Sequence, residues 1–138
     1  MSRRRIGTLP NWQRGATHIT LTLCAFSGLA YFMKHDLGWL GAQAGAHSLL
    51  ALHGITAALA VMAFGAVIPA HIRISWMAKR NRASGIAMCV FMGVLIGSGW
   101  ALYYGSEEIR DGAVFTHLAL GIGALALFPL HLIIGRRS

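Results

Sequence analysis

The sequence predicts an all-α protein, an integral membrane four-helix bundle with both termini on the cytoplasmic side. Three observations predict it. Of 138 residues, 56% are hydrophobic and only 12% are charged, and the mean hydropathy is +0.59, a membrane composition rather than a soluble one. The apolar residues gather into four runs, about 15–34, 46–74, 84–104 and 113–135, each long enough to cross a hydrocarbon core. The charges alternate between connections. Arg3, Arg4, Arg5 and Arg14 precede the first run, Arg73 at the end of the second is followed by Lys79, Arg80 and Arg82, and Arg136 and Arg137 follow the fourth. All four acidic residues, Asp36, Glu107, Glu108 and Asp111, fall in the other two connections. By the positive-inside rule, the termini and middle loop are cytoplasmic and the two acidic loops face outward. The net charge of +8 is therefore read as topology and lipid-headgroup contact, with no nucleic-acid partner.

Local signals justify each element. The N-terminal stretch MSRRRIGTLPNWQRG resembles the charged start of a signal peptide. The stretch is nevertheless expected to be retained as the start of the first span. His18 stands about one turn inside the first span, just after Arg14. Gly28 lies on its outer half, where a missing side chain lets a neighbouring helix or a flat ligand come close. Lys34-His35-Asp36-Leu37-Gly38 reads as a solvated turn. The second span exceeds what a bilayer requires, so it must tilt or project, and Pro69 is expected to kink its inner end. It carries His47 at the water boundary, then His53 and His71. The last two are five whole α-helical turns apart, about 27 Å along one face.

The third span has no histidine. Its Gly93 and Gly97 have G-x-x-x-G spacing, read as close helix packing. Trp100, Tyr103 and Tyr104 mark an outer aromatic belt. The loop YGSEEIRDG leads to the fourth span, which carries His117 and His131, with Pro129 expected to bend it. Those two histidines are about 21 Å apart in rise and about 40° short of whole turns, so they look out from nearly one face. Cys24 and Cys89 each stand alone in an apolar run and read as small buried hydrophobes. Without a C-x-x-C-H there is no covalent haem attachment. No internal repeat is evident.

Ionisable residues within a span are costly and point to function. The first and third spans run outward and the second and fourth inward, so His53 and His117 fall in the outer half. His18, His71 and His131 each fall about one turn from a cytoplasmic end. The spans contain no Asp, Glu, Asn or Gln to satisfy five imidazoles, although serine, threonine and backbone carbonyls could serve one or two. Zinc prefers four ligands at one point. Two histidines at each of two depths suit bis-histidine haem instead. With both axial positions filled, the iron is suited to electron transfer rather than to catalysis.

Arg14-x-x-x-His18 followed by Ser27-Gly28-Leu29, His53 in the second span, and His117 with His131 fourteen residues on resemble a known group. It is the four-helix b-type cytochrome subunits of respiratory enzymes, such as the formate dehydrogenase gamma subunit and the cytochromes b of hydrogenase and thiosulfate reductase. The resemblance implies two non-covalent haem b groups. The cytoplasmic-side haem would lie between His18 and His131 and the outer haem between His53 and His117, with His71 an alternative inner ligand. It implies a quinone near the cytoplasmic-side haem, where His71 and Asn81 have suitable donors, and Arg5, Arg14 and Arg73 are placed for haem propionates. A periplasmic redox subunit or c-type cytochrome would be the partner. The location implied is the bacterial inner membrane, and the chain would be an electron-transfer subunit rather than a stand-alone enzyme. A different class is also open: a small transporter or channel moving metal ions or protons along the histidines.

Overall fold

The computed structural model describes residues 9–39, 45–79 and 81–137, with Arg136 and Arg137 described by backbone alone. Arg3, Arg4, Arg5 and Arg80 lie outside the described residues. Every regular element among the described residues is helical: α1 (Asn11–His35), α2 (Ala46–Val67), a π turn (Ile68–Ile72), α3 (Arg73–Met77), α4 (Arg82–Tyr104) and α5 (Glu107–Arg137). The π turn carries α2 into α3 without a break, so the membrane-length helices are Asn11–His35, Ala46–Met77, Arg82–Tyr104 and Glu107–Gly135. The chain is a multi-pass helical membrane protein. Large apolar side chains such as Phe26, Ile55, Met62, Val90 and Phe115 are exposed, as expected where lipid rather than water is the solvent.

The chain divides into two compact units, 1–78 and 79–138. In the first, α1 and α2 form an antiparallel hairpin. Gln13 near the start of α1 meets Ala66 near the end of α2, whereas Cys24 meets His53 near the start of α2. In the second, α4 and α5 pair the same way: Ser98 meets His117, while the Phe91 ring reaches Gly123. Small residues sit at these contacts, with Ser27, Thr56 and Ala60 buried in the first hairpin and Ser98 and Ala113 in the second. That is how helices associate where no hydrophobic drive is available.

Three expectations are modified. Pro69 does not simply kink the second span; it sits in the π turn, where the Arg73 N–H bonds to the Ile68 carbonyl five residues back. Each π-type bond takes up an extra residue, so everything after Ile68 slips in phase. The uninterrupted five-turn count that put His53 and His71 on one face therefore does not hold. The acidic stretch before the fourth span is largely helical from Glu107. Glu107 and Glu108 in the first turn favour the positive end of the helix dipole, and the Ile109 N–H bonds to the Ser106 carbonyl at 3.2 Å. Finally, a Cβ at Gly93 or Gly97 would meet nothing within 4 Å among the described residues. The close approach in α4 is at Gly99 instead.

Candidate functional site

In the first hairpin the site is built on the Ser27-Gly28 step of α1. A Cβ at Gly28 would lie 2.8 Å from Cε1 and 3.0 Å from Nδ1 of His53, so the imidazole lies on the glycine where a side chain would otherwise stand. Its Nδ1 is 2.9 Å from the Cys24 carbonyl oxygen, 3.4 Å from Ser27 Oγ and 3.8 Å from Cys24 Sγ. A carbonyl oxygen can only accept, so Nδ1 carries the proton and donates it. In the neutral ring the basic lone pair is then on Nε2. Ser27 Oγ donates to the same Cys24 carbonyl at 3.0 Å and lies 3.2 Å from Thr56 Oγ1. Thr56 is one turn along α2 from His53, and its hydroxyl donates to the carbonyls of Leu52 and His53.

In the second hairpin the same chemistry surrounds His117. Its Nδ1 is 3.0 Å from Ser98 Oγ and 3.2 Å from the Leu95 carbonyl oxygen, and Ser98 Oγ donates to that carbonyl at 3.0 Å. A Cβ at Gly99 would lie 3.4 Å from His117 Cε1. Again Nδ1–H is the donor and Nε2 the basic nitrogen. Serines and backbone carbonyls therefore serve two of the five histidines, as the sequence allowed.

This arrangement fits an imidazole-ligated metal or haem. Ligating histidines characteristically give their other N–H to a carbonyl or carboxylate, which fixes the tautomer, orients the ring and raises its basicity. Among the described residues, no three His, Cys, Asp or Glu side chains gather as a polydentate metal site needs.

The remaining candidates are distributed as follows. His18 is half-buried on α1, beside Ile19, Thr22 and Leu23 at a shallow, mostly apolar depression. His131 is half-buried on α5, two residues beyond Pro129, through which the helix continues. His71 is half-buried within the π turn. Arg14 is exposed, and its Nη2 donates to Asn11 Oδ1 at 3.3 Å. Asn81 is the N-cap of α4 with φ +47°, a left-handed conformation that Asn tolerates better than most residues. It thus has a backbone reason for its position. His47 is exposed at the start of α2. His35 ends α1, stacked on Tyr31 at 5.0 Å and 3.4 Å from Asp36.

Sequence reasoning overlooked Ser98, Thr56 and Gln13, and counted Gly99 only among the packing glycines of the third span. A signal for Ser98 and Gly99 was present: the Ser-Gly step at residues 27–28 recurs at 84–85 and at 98–99. No protein-family model, curated protein or solved structure matches the chain.

Proposed function

We propose that the chain is a membrane di-haem b-type cytochrome passing electrons between a periplasmic redox partner and the quinone pool of a bacterial cytoplasmic membrane. It acts as a subunit, with both termini cytoplasmic. The observation that carries this reading is the state of His53 and His117. Each gives its Nδ1 proton to a backbone carbonyl and so keeps a basic Nε2, the atom an axial imidazole offers to iron. A proton or ion carrier needs side chains that gain and lose charge along a path. Rings whose tautomer is fixed by a carbonyl suit a permanent ligand better.

A bound haem would supply a one-electron iron couple, and the chain would supply imidazole nitrogens and an apolar surround to hold it. In this proposal His53 and His117 are the ligands of the outer haem and His18 and His131 those of the inner one, an assignment drawn from the resemblance. Arg14 and Arg73, with Arg5, neutralise propionates. His71 and Asn81 serve the quinone. For His71 the reading is supported by the π turn around it, since π turns within helices recur at functional sites.

An absorption spectrum of the purified protein, oxidised and then dithionite-reduced, tests the reading. The expected result is sharp reduced b-type bands with about two haems per chain, the number of bis-histidine sites that four ligands make. A colourless protein that binds zinc would favour the transporter instead. His53→Ala and His117→Ala are expected to remove the same haem, and His18→Ala and His131→Ala the other. His71→Ala is expected to keep both and slow quinone-linked turnover.

A further inference from the structure

We infer that the chain carries the same imidazole clamp twice, once in each hairpin, and that Ser27 and Ser98 are positioning residues that set the ligand strength of His53 and His117. The inference rests on the haem-ligand reading above. In each copy a Ser-Gly step lies on the first helix of the hairpin and a histidine on the second, with the ring against the glycine. Nδ1 faces the carbonyl four residues before that glycine, Cys24 in one copy and Leu95 in the other. The serine just before the glycine donates to that same carbonyl and presents its oxygen to Nδ1. Agreement in residue type, spacing, ring contact and both hydrogen bonds makes this one device used twice.

The chemistry follows from the shared proton. The more strongly Nδ1–H is drawn to an acceptor, the more electron density Nε2 offers, and second-shell hydrogen bonding of this kind is a main control on haem potential. The two copies divide the work differently. At His53 the carbonyl is the nearer acceptor, 2.9 Å against 3.4 Å for the serine. At His117 the serine is the nearer, 3.0 Å against 3.2 Å. Ser27 is also tied to Thr56, whereas the residue three beyond His117 is Leu120, with no hydroxyl to offer. Ser98 therefore controls its imidazole directly, while Ser27 acts mainly by holding the carbonyl and the helix contact.

The test is a spectroelectrochemical titration of the full-length protein and its Ser98→Ala, Ser98→Thr and Ser27→Ala variants, with Ser84→Ala as a control. Ser84 Oγ donates to the Asn81 carbonyl at 3.2 Å and takes no part in either clamp. The expected result is that Ser98→Ala raises the midpoint of one haem and leaves the other unmoved. Ser98→Thr, which keeps the hydroxyl, should restore the midpoint, and Ser27→Ala should shift the same haem by less. A Ser98→Ala variant that holds both haems at unchanged midpoints, or one matched by the Ser84→Ala control, overturns the inference and leaves the cytochrome reading standing. A second measurement does not require haem: 15N NMR of His53 and His117 in the haem-free protein should give the Nδ1-protonated tautomer. The opposite tautomer overturns the clamp, whereas the absence of b-type bands from the wild-type spectrum overturns the cytochrome reading itself.

Discussion

A methyl group at position 28 would stand 2.8 Å from Cε1 of His53, whereas one at position 99 would stand 3.4 Å from Cε1 of His117. The first distance is well inside van der Waals contact; the second is close to ordinary contact. His53 cannot retreat freely, because doing so lengthens its 2.9 Å bond to the Cys24 carbonyl. Overpacking a filled site of this kind costs about 1–3 kcal/mol. Gly28→Ala is therefore expected to displace the imidazole and reduce haem content at the site that His53 serves, with Gly99→Ala much milder. Haem per chain from a reduced-minus-oxidised spectrum ranks the two. Equal losses would mean that the glycines serve helix packing in general rather than one ring in particular. The same asymmetry explains why the sequence pointed to Gly28 but passed over Gly99. Four glycines lie in the third span, and the G-x-x-x-G pair is the more familiar pattern. Only the position of the neighbouring histidine selects Gly99.

The helices were legible as elements because hydropathy and length decide what can cross a bilayer. Their irregularities were not. The π turn at Ile68–Ile72 arises because Pro69 has no N–H to give and its ring crowds the preceding turn, and proline alone does not say whether a helix bends, breaks or widens. Gln13 lay just before the span the sequence delimited, yet its Nε2 donates to the Ala66 carbonyl at 2.6 Å and ties the start of α1 to the end of α2. Gln13→Ala is expected to cost about 1 kcal/mol, the usual net value of one hydrogen bond, read as a lower unfolding midpoint in detergent with the spectrum unchanged. Pro69→Ala should act oppositely on stability, since it restores an N–H and permits regular α-helical bonding. It should also rotate His71 relative to the helix before it. The expected signature is a raised unfolding midpoint, both haems retained, and slower quinone-linked turnover. Unchanged turnover would remove the π turn from the functional account. The duplicated clamp escaped sequence reading for a related reason. His53 follows its glycine by 25 residues and His117 by 18, because the connections differ in length, and no fixed period marks a repeat made by packing alone.

For the whole molecule the ionised side chains carry the topology. Basic residues precede α1 and cluster between α3 and α4, while acidic ones follow α1 and begin α5. A Lys or Arg is held on the cytoplasmic side of a bilayer during insertion, and Asp or Glu has little say; the proposed orientation rests on the basic clusters. In the proposed orientation the two remaining connections, which carry Asp36, Glu107, Glu108 and Asp111, are on the periplasmic side, where the proposed electron-transfer partner would bind. Cysteine labelling can read this directly, because Cys24 and Cys89 both lie within membrane-length helices. Ser106→Cys, in the exposed connection between α4 and α5, should react with a membrane-impermeant maleimide on intact cells. Lys79→Cys, between α3 and α4, should react only after the membrane is opened. The reverse pattern would put the His53 and His117 ends of their helices on the cytoplasmic side. The site assigned to the periplasmic partner would then face the cytoplasm, and the π turn with His71 would meet the outer surface. Electron transfer between histidine-bound haems would survive such a reversal, but its proposed direction across the membrane would not.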